Sequence, residues 1–241
     1  MGQVYRAIRL ETGEAVAIKV LHRVRAAASP GSSFRRESRL MSSLQHPNIV
    51  SILAAGEQDG RGYLVMEYVP GPNLRTLMQP GVPWLPDPAR VVLEAAAEAL
   101  MALHRQGILH LDLKPENVLL RGGRVSASTV KLTDFGLAIR QSEAQTSAEL
   151  DAVQSSMLYS APEQRHGLPL DERSDLFSLA TLAYELFTGR LPGRVYVSVR
   201  RSQASLPAAL DDVLARGLAR DPYFRPPSVS AFSCQLRAAL T

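Results

Sequence analysis

The sequence contains a single cysteine and lacks both a long apolar run and a block of one charge. The lone Cys234 excludes an internal disulfide and predicts a reducing compartment, the cytoplasm. The longest apolar stretches, around 91–103 and 176–187, are interrupted by glutamates and have helical spacing, which argues against a membrane segment in this chain. Residues 1–6 have no apolar core, so no signal peptide is expected. The 27 Lys and Arg residues are interspersed with 23 Asp and Glu residues, which argues against nucleic acid as a partner.

The composition is that of an ordinary globular chain of 241 residues, 46% hydrophobic and 21% charged. Alternation of apolar and polar residues predicts strands over 3–10, 15–21, 49–57 and 63–68, with a helix over 34–44 between the second and third. Helical spacing predicts helices over 74–78, 87–106, 173–188, 207–218 and 228–240, the long one capped by Asp87 and the next ended by Gly189. These patterns predict an α+β chain with a sheet-rich N-terminal lobe over 1–68 and a larger, mainly helical lobe over 69–241.

Two short polar stretches contain the side chains that phosphoryl transfer from ATP requires. Residues 110–117 read His-Leu-Asp-Leu-Lys-Pro-Glu-Asn, and Asp-Phe-Gly begins at Asp134 after the next strand. Asp112 can accept the proton of an incoming hydroxyl, and Lys114 can neutralise developing phosphate charge. Asn117 and Asp134 offer the hard oxygen ligands that magnesium prefers.

These stretches resemble the protein kinases, because Ala17-Ile18-Lys19 precedes them and Ala161-Pro162-Glu163 follows them. The sequence Lys-Pro-Glu-Asn resembles the serine/threonine branch, and the chain as a whole is similar to its eukaryotic-like bacterial type. The resemblance implies a bilobal kinase fold, ATP with Mg²⁺ or Mn²⁺ as cofactors, and protein substrates that carry Ser or Thr hydroxyl groups.

The resemblance also implies which residues hold the nucleotide. Lys19 would contact the α- and β-phosphates and pair with Glu37 on the following helix. Backbone groups of Glu67 and Val69 would read the adenine edge. The apolar residues that would sandwich the adenine ring are Val4, Ala17 and Leu119.

Each of these nucleotide residues also has a purely structural interpretation. A lysine that ends an apolar strand is ordinarily a surface residue whose alkyl stem packs along the sheet, as Lys19 would be. A helix glutamate among arginines, such as Glu37, ordinarily lies on a solvated face. Val4, Ala17 and Leu119 would be ordinary core residues.

Other matching positions have scaffolding roles in the resemblance. His110 would pack beside Phe135 rather than act as a base. Glu163 would pair with a buried arginine, Arg225. Asp175 would brace the backbone of the catalytic loop from a central helix.

The chain departs from the family pattern in three places. Gly2 matches only the end of the Gly-rich loop, so the first strand and two glycines are missing, and weaker ATP binding is expected. Leu111 stands where many relatives have an arginine that receives a phosphate on the activation segment, which argues against that switch. Ser156 replaces a threonine and keeps the hydroxyl.

Three alternatives remain open. A catalytically weak, pseudokinase-like ATP-binding scaffold is favoured by the missing glycines and opposed by the intact catalytic residues. A metallohydrolase could use the His-x-Asp and the later Asp134 as ligands, but Lys19, Lys114 and Asn117 would then have no role. A small-molecule kinase is opposed by the Ala-Pro-Glu segment and by the region from Asp175 to Arg225.

Overall fold

The computed structural model describes residues 3–20, 44–134, 139–140 and 156–241. The chain divides into two compact units, Met1–Pro70 and Gly71–Thr241. The predictions that lie outside the described residues are those for Gly2, for the helix over 34–44 with Glu37, for Phe135 and for the side chain of Ser156.

The first unit contains a four-stranded antiparallel sheet in the order β1-β2-β4-β3. Its strands are β1 (Gln3–Ile8), β2 (Ala15–Val20), β3 (Ile52–Gln58) and β4 (Arg61–Glu67). β3 and β4 are joined by Asp59 and Gly60, which have φ values of 51° and 70°. Positive φ at both central residues matches the twist of a tight hairpin, so the turn has two residues and both strands run closer to it than the sequence predicted. At their other ends, β3 begins later than predicted, at Ile52, and β4 ends earlier, at Glu67.

The second unit is mainly helical. Its helices are α1 (Leu74–Leu77), α2 (Pro86–His104), α3 (Pro162–Arg165), α4 (Glu172–Thr188), α5 (Ala208–Gly217) and α6 (Val229–Leu240). The core forms where α2 packs on α4 and α6 and where α5 packs on α4 and α6. No helix in the described part of the chain combines the length and the apolar character needed to cross a membrane.

Two short antiparallel strand pairs position the polar stretches in the second unit. The pairs are β5 (Ile108–Leu109) with β8 (Ile139–Arg140), and β6 (Val118–Leu120) with β7 (Val130–Leu132). Gly71 approaches this region so closely that an added Cβ would lie 2.1 Å from the Leu120 carbonyl oxygen. In chain order, residues 110–117 connect β5 to β6, and Asp134 follows β7.

The long helix is capped two residues earlier than expected and ends at His104 rather than at residue 106. The prediction that Asp87 caps it was wrong: Leu85 occupies the N-cap position without a side-chain hydrogen bond, and Pro86 is the first helical residue. The fixed φ of proline suits that position, and Asp87 in the first turn still complements the helix dipole. The helix α4 ends as predicted: Gly189 follows its last residue and adopts the left-handed conformation (φ 68°).

Candidate active site

The carboxylate of Asp112 is held by the two polar residues that follow it in the same loop. Lys114 Nζ donates to both Asp112 oxygens, at 3.0 and 2.9 Å. Asn117 Nδ2 donates to Asp112 Oδ2 at 3.0 Å and to the Asp112 carbonyl at 2.7 Å. All three side chains are buried, and a buried charge needs this kind of pairing. The arrangement holds the Asp112 carboxyl group next to the amino group of Lys114.

Asp175 braces the backbone of this loop from α4. Its carboxylate is fully buried and accepts from the Leu111 amide at 2.7 Å and from the His110 amide at 2.9 Å. The bracing contact expected of Asp175 is therefore present. The Leu111 carbonyl accepts from Gln164 Nε2 at 2.8 Å, so both backbone groups of Leu111 are held by side chains from elsewhere in the chain.

A further partner of Asp175, His104 at the end of α2, was missed from the sequence. His104 Nε2 lies 2.7 Å from Asp175 Oδ2, and His104 Nδ1 lies 3.5 Å from Glu172 Oε2. Burial lowers the pKa of His104, but the hydrogen bond and charge of Asp175, with the Glu172 carboxylate, outweigh it and raise the pKa above its usual value. Burial raises the pKa of Asp175, and His104 more than offsets this, so that pKa is lowered.

His110 has both ring nitrogens committed within the loop. Nδ1 accepts from the Asp112 amide at 3.2 Å, which places the proton on Nε2, 3.2 Å from the Thr133 carbonyl. A ring fixed in this way cannot take a proton from a substrate at Nδ1. The geometry agrees with the structural role expected for His110.

Backbone strain is concentrated at the polar stretches. The described non-glycine residues with positive φ are Asp59, Leu111 (61°) and Asp134 (67°). The hairpin turn accounts for Asp59, whereas Leu111 and Asp134 flank the candidate catalytic residues. Such strain persists only where the surroundings enforce it, and it clusters at functional sites.

The donor set offered by Asn117 and Asp134 fits a magnesium ion. Both hydrogen bonds of the Asn117 side chain use Nδ2, which leaves Oδ1 as an oxygen ligand. Asp134 is half-buried and supplies a carboxylate. No cluster of three His, Cys, Asp or Glu side chains that could hold a metal occurs among the described residues. Such a pair suits an ion that also takes ligands from substrate phosphates.

In the first unit, Val4, Ala17 and Lys19 lie on one face of the sheet. Val4 is directly opposite Lys19 in the register of β1 with β2, and Ala17 is two residues before Lys19. Lys19 is only 5% exposed, so the interpretation of this residue as a surface lysine is wrong. Val4 is 60% exposed, and Ala17 is half-buried. Leu119, in the second unit, is half-buried as well. Val4 is therefore not a core residue, whereas Ala17 and Leu119 are partly buried.

The end of β4 has an open backbone at Val69. The Glu67 side chain accepts from the Ser51 amide at 3.0 Å, and the Glu67 amide donates to the Ser51 carbonyl at 2.9 Å. Val69 is buried, yet no hydrogen bond within the described ranges uses its amide or its carbonyl. Buried backbone groups are normally paired, so Val69 has the open donor and acceptor that recognition of a ligand edge requires.

Glu163 and Arg225 form the buried ion pair that was expected. Arg225 Nη1 and Nη2 donate to the two Glu163 oxygens at 2.6 and 2.8 Å. The Ser174 hydroxyl donates to Glu163 Oε1 at 2.8 Å, and Arg225 Nη1 also donates to the Arg173 carbonyl at 2.7 Å. The pair fastens α3 to α4 and to the 3₁₀ turn Pro222–Phe224.

A second charged network was not foreseen from the sequence. Arg75 in α1 donates to Glu116, beside Asn117 in the catalytic loop, at 2.9 Å and to Glu185 in α4 at 2.9 Å. The Tyr159 hydroxyl donates to Glu185 and contacts Arg75. Burial and the Glu185 carboxylate raise the pKa of Tyr159 far above its usual value. The network ties the loop that contains Asp112 to the residues just before α3.

The chain is similar to known proteins in sequence and in overall fold. The protein kinase domain family matches residues 1–215 of the chain. The serine/threonine-protein kinase pkn2 of Myxococcus xanthus is 36% identical over 258 residues, which cover 99% of this chain and 31% of pkn2. PrkC of Bacillus subtilis, also a serine/threonine-protein kinase, is 33% identical over 254 residues, covering 99% of this chain and 38% of PrkC.

A solved structure is similar over the full chain. The crystal structure of the PknI kinase domain from Mycobacterium tuberculosis matches with a TM-score of 0.79 and 30% identity, covering 100% of this chain and 91% of that domain. The chain spans only 31–47% of the length of the three curated relatives pkn2, pkn3 and PrkC.

Proposed function

This chain belongs to the eukaryotic-like serine/threonine protein kinases of bacteria, and we propose that it transfers the γ-phosphoryl group of ATP to Ser or Thr hydroxyl groups of protein substrates. The observation that carries the proposal is the Asp112 carboxylate, held by Lys114 and Asn117 in a loop braced by Asp175. A positioned carboxylate beside a cation is what this reaction needs, because positioning and charge stabilisation account for most of its catalysis.

The proposed step uses few residues of the loop. The substrate hydroxyl donates its hydrogen bond to Asp112, its oxygen bonds to the γ-phosphorus, and the bond from that phosphorus to the leaving ADP oxygen breaks. Asp112 accepts the released proton, and Lys114 neutralises charge on the transferred group. The short contact of Lys114 with Asp112 keeps both groups at the same place in the loop.

The nucleotide roles are proposed for the residues that match the family. Lys19 would hold the α- and β-phosphates, supported by its burial, and would pair with Glu37. Asn117 and Asp134 would hold Mg²⁺, or Mn²⁺, which neutralises phosphate charge when bound. The open backbone of Val69, with the Glu67 carbonyl, would read the adenine edge. The residues proposed to contact the adenine ring are Val4, Ala17 and Leu119. A cytoplasmic location is part of the proposal, because the proposed reaction uses ATP.

Replacing Asp112 by Asn tests the proposed reaction. Transfer of radiolabelled phosphate to a generic protein substrate should fall by at least about 10²-fold, because a positioned proton acceptor contributes on that scale. ATP binding, measured by calorimetry, should change little. Asp59→Asn, in an exposed turn, is the control and should keep full activity. Equal turnover by D112N would overturn the assignment, and absent turnover in the unmodified chain with intact ATP binding would favour the scaffold alternative.

The metal assignment predicts that Mg²⁺ tightens ATP binding. The phosphates and the ion bind as a unit, so ATP affinity should be higher with Mg²⁺ than with EDTA, and Asp134→Ala should remove most of the difference. Titration calorimetry under both conditions measures the effect. Equal affinity in EDTA and in magnesium would contradict the assignment of Asn117 and Asp134.

A further inference from the structure

A basic segment lies far from the catalytic loop in sequence and is not used by the proposed reaction. Residues 189–206 contain four arginines and no Asp, Glu or Lys. The segment follows α4, and its Val195 is 77% exposed. Charge of one sign over such a stretch is unusual in a chain whose charges are otherwise interspersed. It favours an anionic partner.

Part of this segment forms one wall of a groove with a volume of about 650 Å³. The other walls come from α3, from the first half of α4 and from the chain just beyond α5. Apolar residues of the lining, which include Pro162, Phe177 and Leu218, form what we call the floor of the groove. The volume lies in the range of ligand-binding clefts and is much larger than a single inorganic anion needs.

Three arginines line the groove: Arg165 from α3, Arg194 from the basic segment and Arg220 beyond α5. All three are exposed, and none forms an ion pair with a carboxylate in the part of the chain that the structure describes. None of the described lining residues is acidic. The groove therefore combines the apolar floor with a rim of three arginines that form no ion pair among the described residues.

Two acidic residues next to, or bonded to, lining residues of the groove are already engaged. Glu163 is neutralised by Arg225, whose guanidinium lies 4.9 Å from the centre of the Phe177 ring. Asp211 accepts from Tyr196, which lines the groove, at 2.8 Å and from Ser198 at 2.7 Å. These contacts hold two walls of the groove in place. Asp221 follows Arg220 and is exposed; it accepts from the Tyr223 amide at 2.9 Å and is not among the lining residues.

We propose that this basic groove binds an acidic segment of a protein partner, with partner carboxylates on the arginine rim and apolar partner side chains on the floor. Guanidinium groups pair well with carboxylates because they offer two parallel donors. The apolar floor is recessed, so an extended acidic peptide can reach it, whereas a flat membrane surface cannot. The binding involves no phosphoryl transfer, so it stands or fails separately from the proposed kinase reaction.

The test uses fluorescence anisotropy without ATP. The probe is a fluorescein-labelled peptide of alternating Glu and Leu, and its counterpart has Gln in place of every Glu. The whole chain should bind the Glu peptide, with affinity that falls as salt rises, and should bind the Gln peptide at least about tenfold more weakly. The double variant Arg194→Glu/Arg220→Glu should weaken binding of the Glu peptide by at least about tenfold.

A matched control makes the same change in net charge elsewhere on the second unit. Arg105 and Arg124 are exposed and lie outside the groove, so Arg105→Glu/Arg124→Glu should leave the affinity within about twofold. Melting temperatures show whether each variant folds. If Arg194→Glu/Arg220→Glu does not fold, Arg194→Gln/Arg220→Gln is measured in its place. Equal loss in the groove and control variants would overturn the proposal.

Two other occupants are outcomes of the same experiment. Tighter binding to phosphatidylserine vesicles than to the Glu peptide, lost in the groove variant, would assign the groove to a lipid surface instead. A peptide with the sequence of residues 141–155 contains three acidic residues and no basic one. If it binds more tightly than the Glu–Leu peptide, the groove belongs to the chain's own segment and the proposal of a partner protein fails.

Discussion

At the scale of single residues, Asp175 determines the shape of the catalytic loop. One buried carboxylate accepts hydrogen bonds from two consecutive backbone amides and from a histidine side chain. A buried charge is costly when unpaired, and His104 supplies the opposite charge. Because the Leu111 backbone has a positive φ, the two amides point where they do only while Asp175 holds them.

The pairing of His104 with Asp175 predicts a pH-dependent contribution to stability. The raised pKa of His104 means that the folded state binds this proton more tightly, so the contribution is complete below the unfolded pKa, about 6.5. It is lost as the pH rises through the higher folded value. The lowered pKa of Asp175 has the opposite sense: its contribution is complete above about 3.9 and is lost only as the pH falls through the folded value.

Unfolding by urea at a series of pH values measures this effect. The free energy of unfolding should be higher for the unmodified chain than for His104→Gln at pH 6, and the gap should narrow as the pH rises above the folded pKa of His104. His166→Gln, an exposed histidine, is the control and should show no such narrowing. A gap for His104→Gln that stays constant across neutral and alkaline pH would contradict the charge pairing.

At the scale of elements, the ends of helices bring separate parts of the chain together. The short helix α1 contributes Arg75, which bonds Glu116 of the catalytic loop and Glu185 of α4. The end of α4 touches the connection between α1 and α2, where the Gly81 amide donates to the Gly189 carbonyl at 2.9 Å. Helix boundaries in this unit are therefore decided by contacts as well as by capping residues.

Gly189→Ala should destabilise the chain more than replacement of a glycine that also has a positive φ but has open space where the new Cβ would lie. Gly189 has a positive φ, and a Cβ there would lie 2.5 Å from backbone atoms of Gly81 and Val82. The left-handed conformation costs about 1–2 kcal/mol for alanine, and overpacking adds about 1–3 kcal/mol.

The matched control is Gly167→Ala. Gly167 has a φ of 63° and no atom within 4 Å of the added Cβ, so only the conformational cost of about 1–2 kcal/mol applies. Urea unfolding curves of the two variants give the difference. Equal losses would show that the backbone near Gly189 moves aside without cost.

At the scale of the whole molecule, stability of the second unit depends on the Glu163–Arg225 pair. The two residues are 62 positions apart and fasten α3 to the chain beyond α5. Each also bonds further groups, Ser174 with Glu163 and two backbone carbonyls beyond α5 with Arg225. The same pair supports the floor of the basic groove through Phe177.

Removing one partner of this pair should cost far more than removing both. Arg225→Leu leaves a buried, unpaired carboxylate, and Glu163→Leu leaves a buried, unpaired guanidinium, so each should lower the free energy of unfolding by about 3–5 kcal/mol. The double variant Glu163→Leu/Arg225→Leu should lose less than either single variant. Chemical denaturation of the three variants measures this. Additive losses would contradict a direct coupling between the two residues.

Much of the fold and of the candidate site was predictable because its signals are local. Alternation of apolar residues predicted the four strands of the first unit, and Gly189 marked the end of α4. The order of polar residues from Asp112 to Asn117 identified the family, because those side chains lie within one short loop. The error at Asp87 concerned the start of the helix, because Pro86, which precedes Asp87, occupies the first helical position that suits proline.

The sequence by itself determined the elements and the chemistry of the catalytic loop, since both depend on neighbouring residues. Only the tertiary structure decided that Lys19 is buried and Val4 exposed, because burial depends on what covers each face of a sheet. The same holds for His104 with Asp175, 71 positions apart, and for Arg75 with Glu185, 110 apart. Such pairs form when helices pack together. The spacing of residues along a helix or strand sets only the face on which each residue lies, so it does not determine which charged side chains meet.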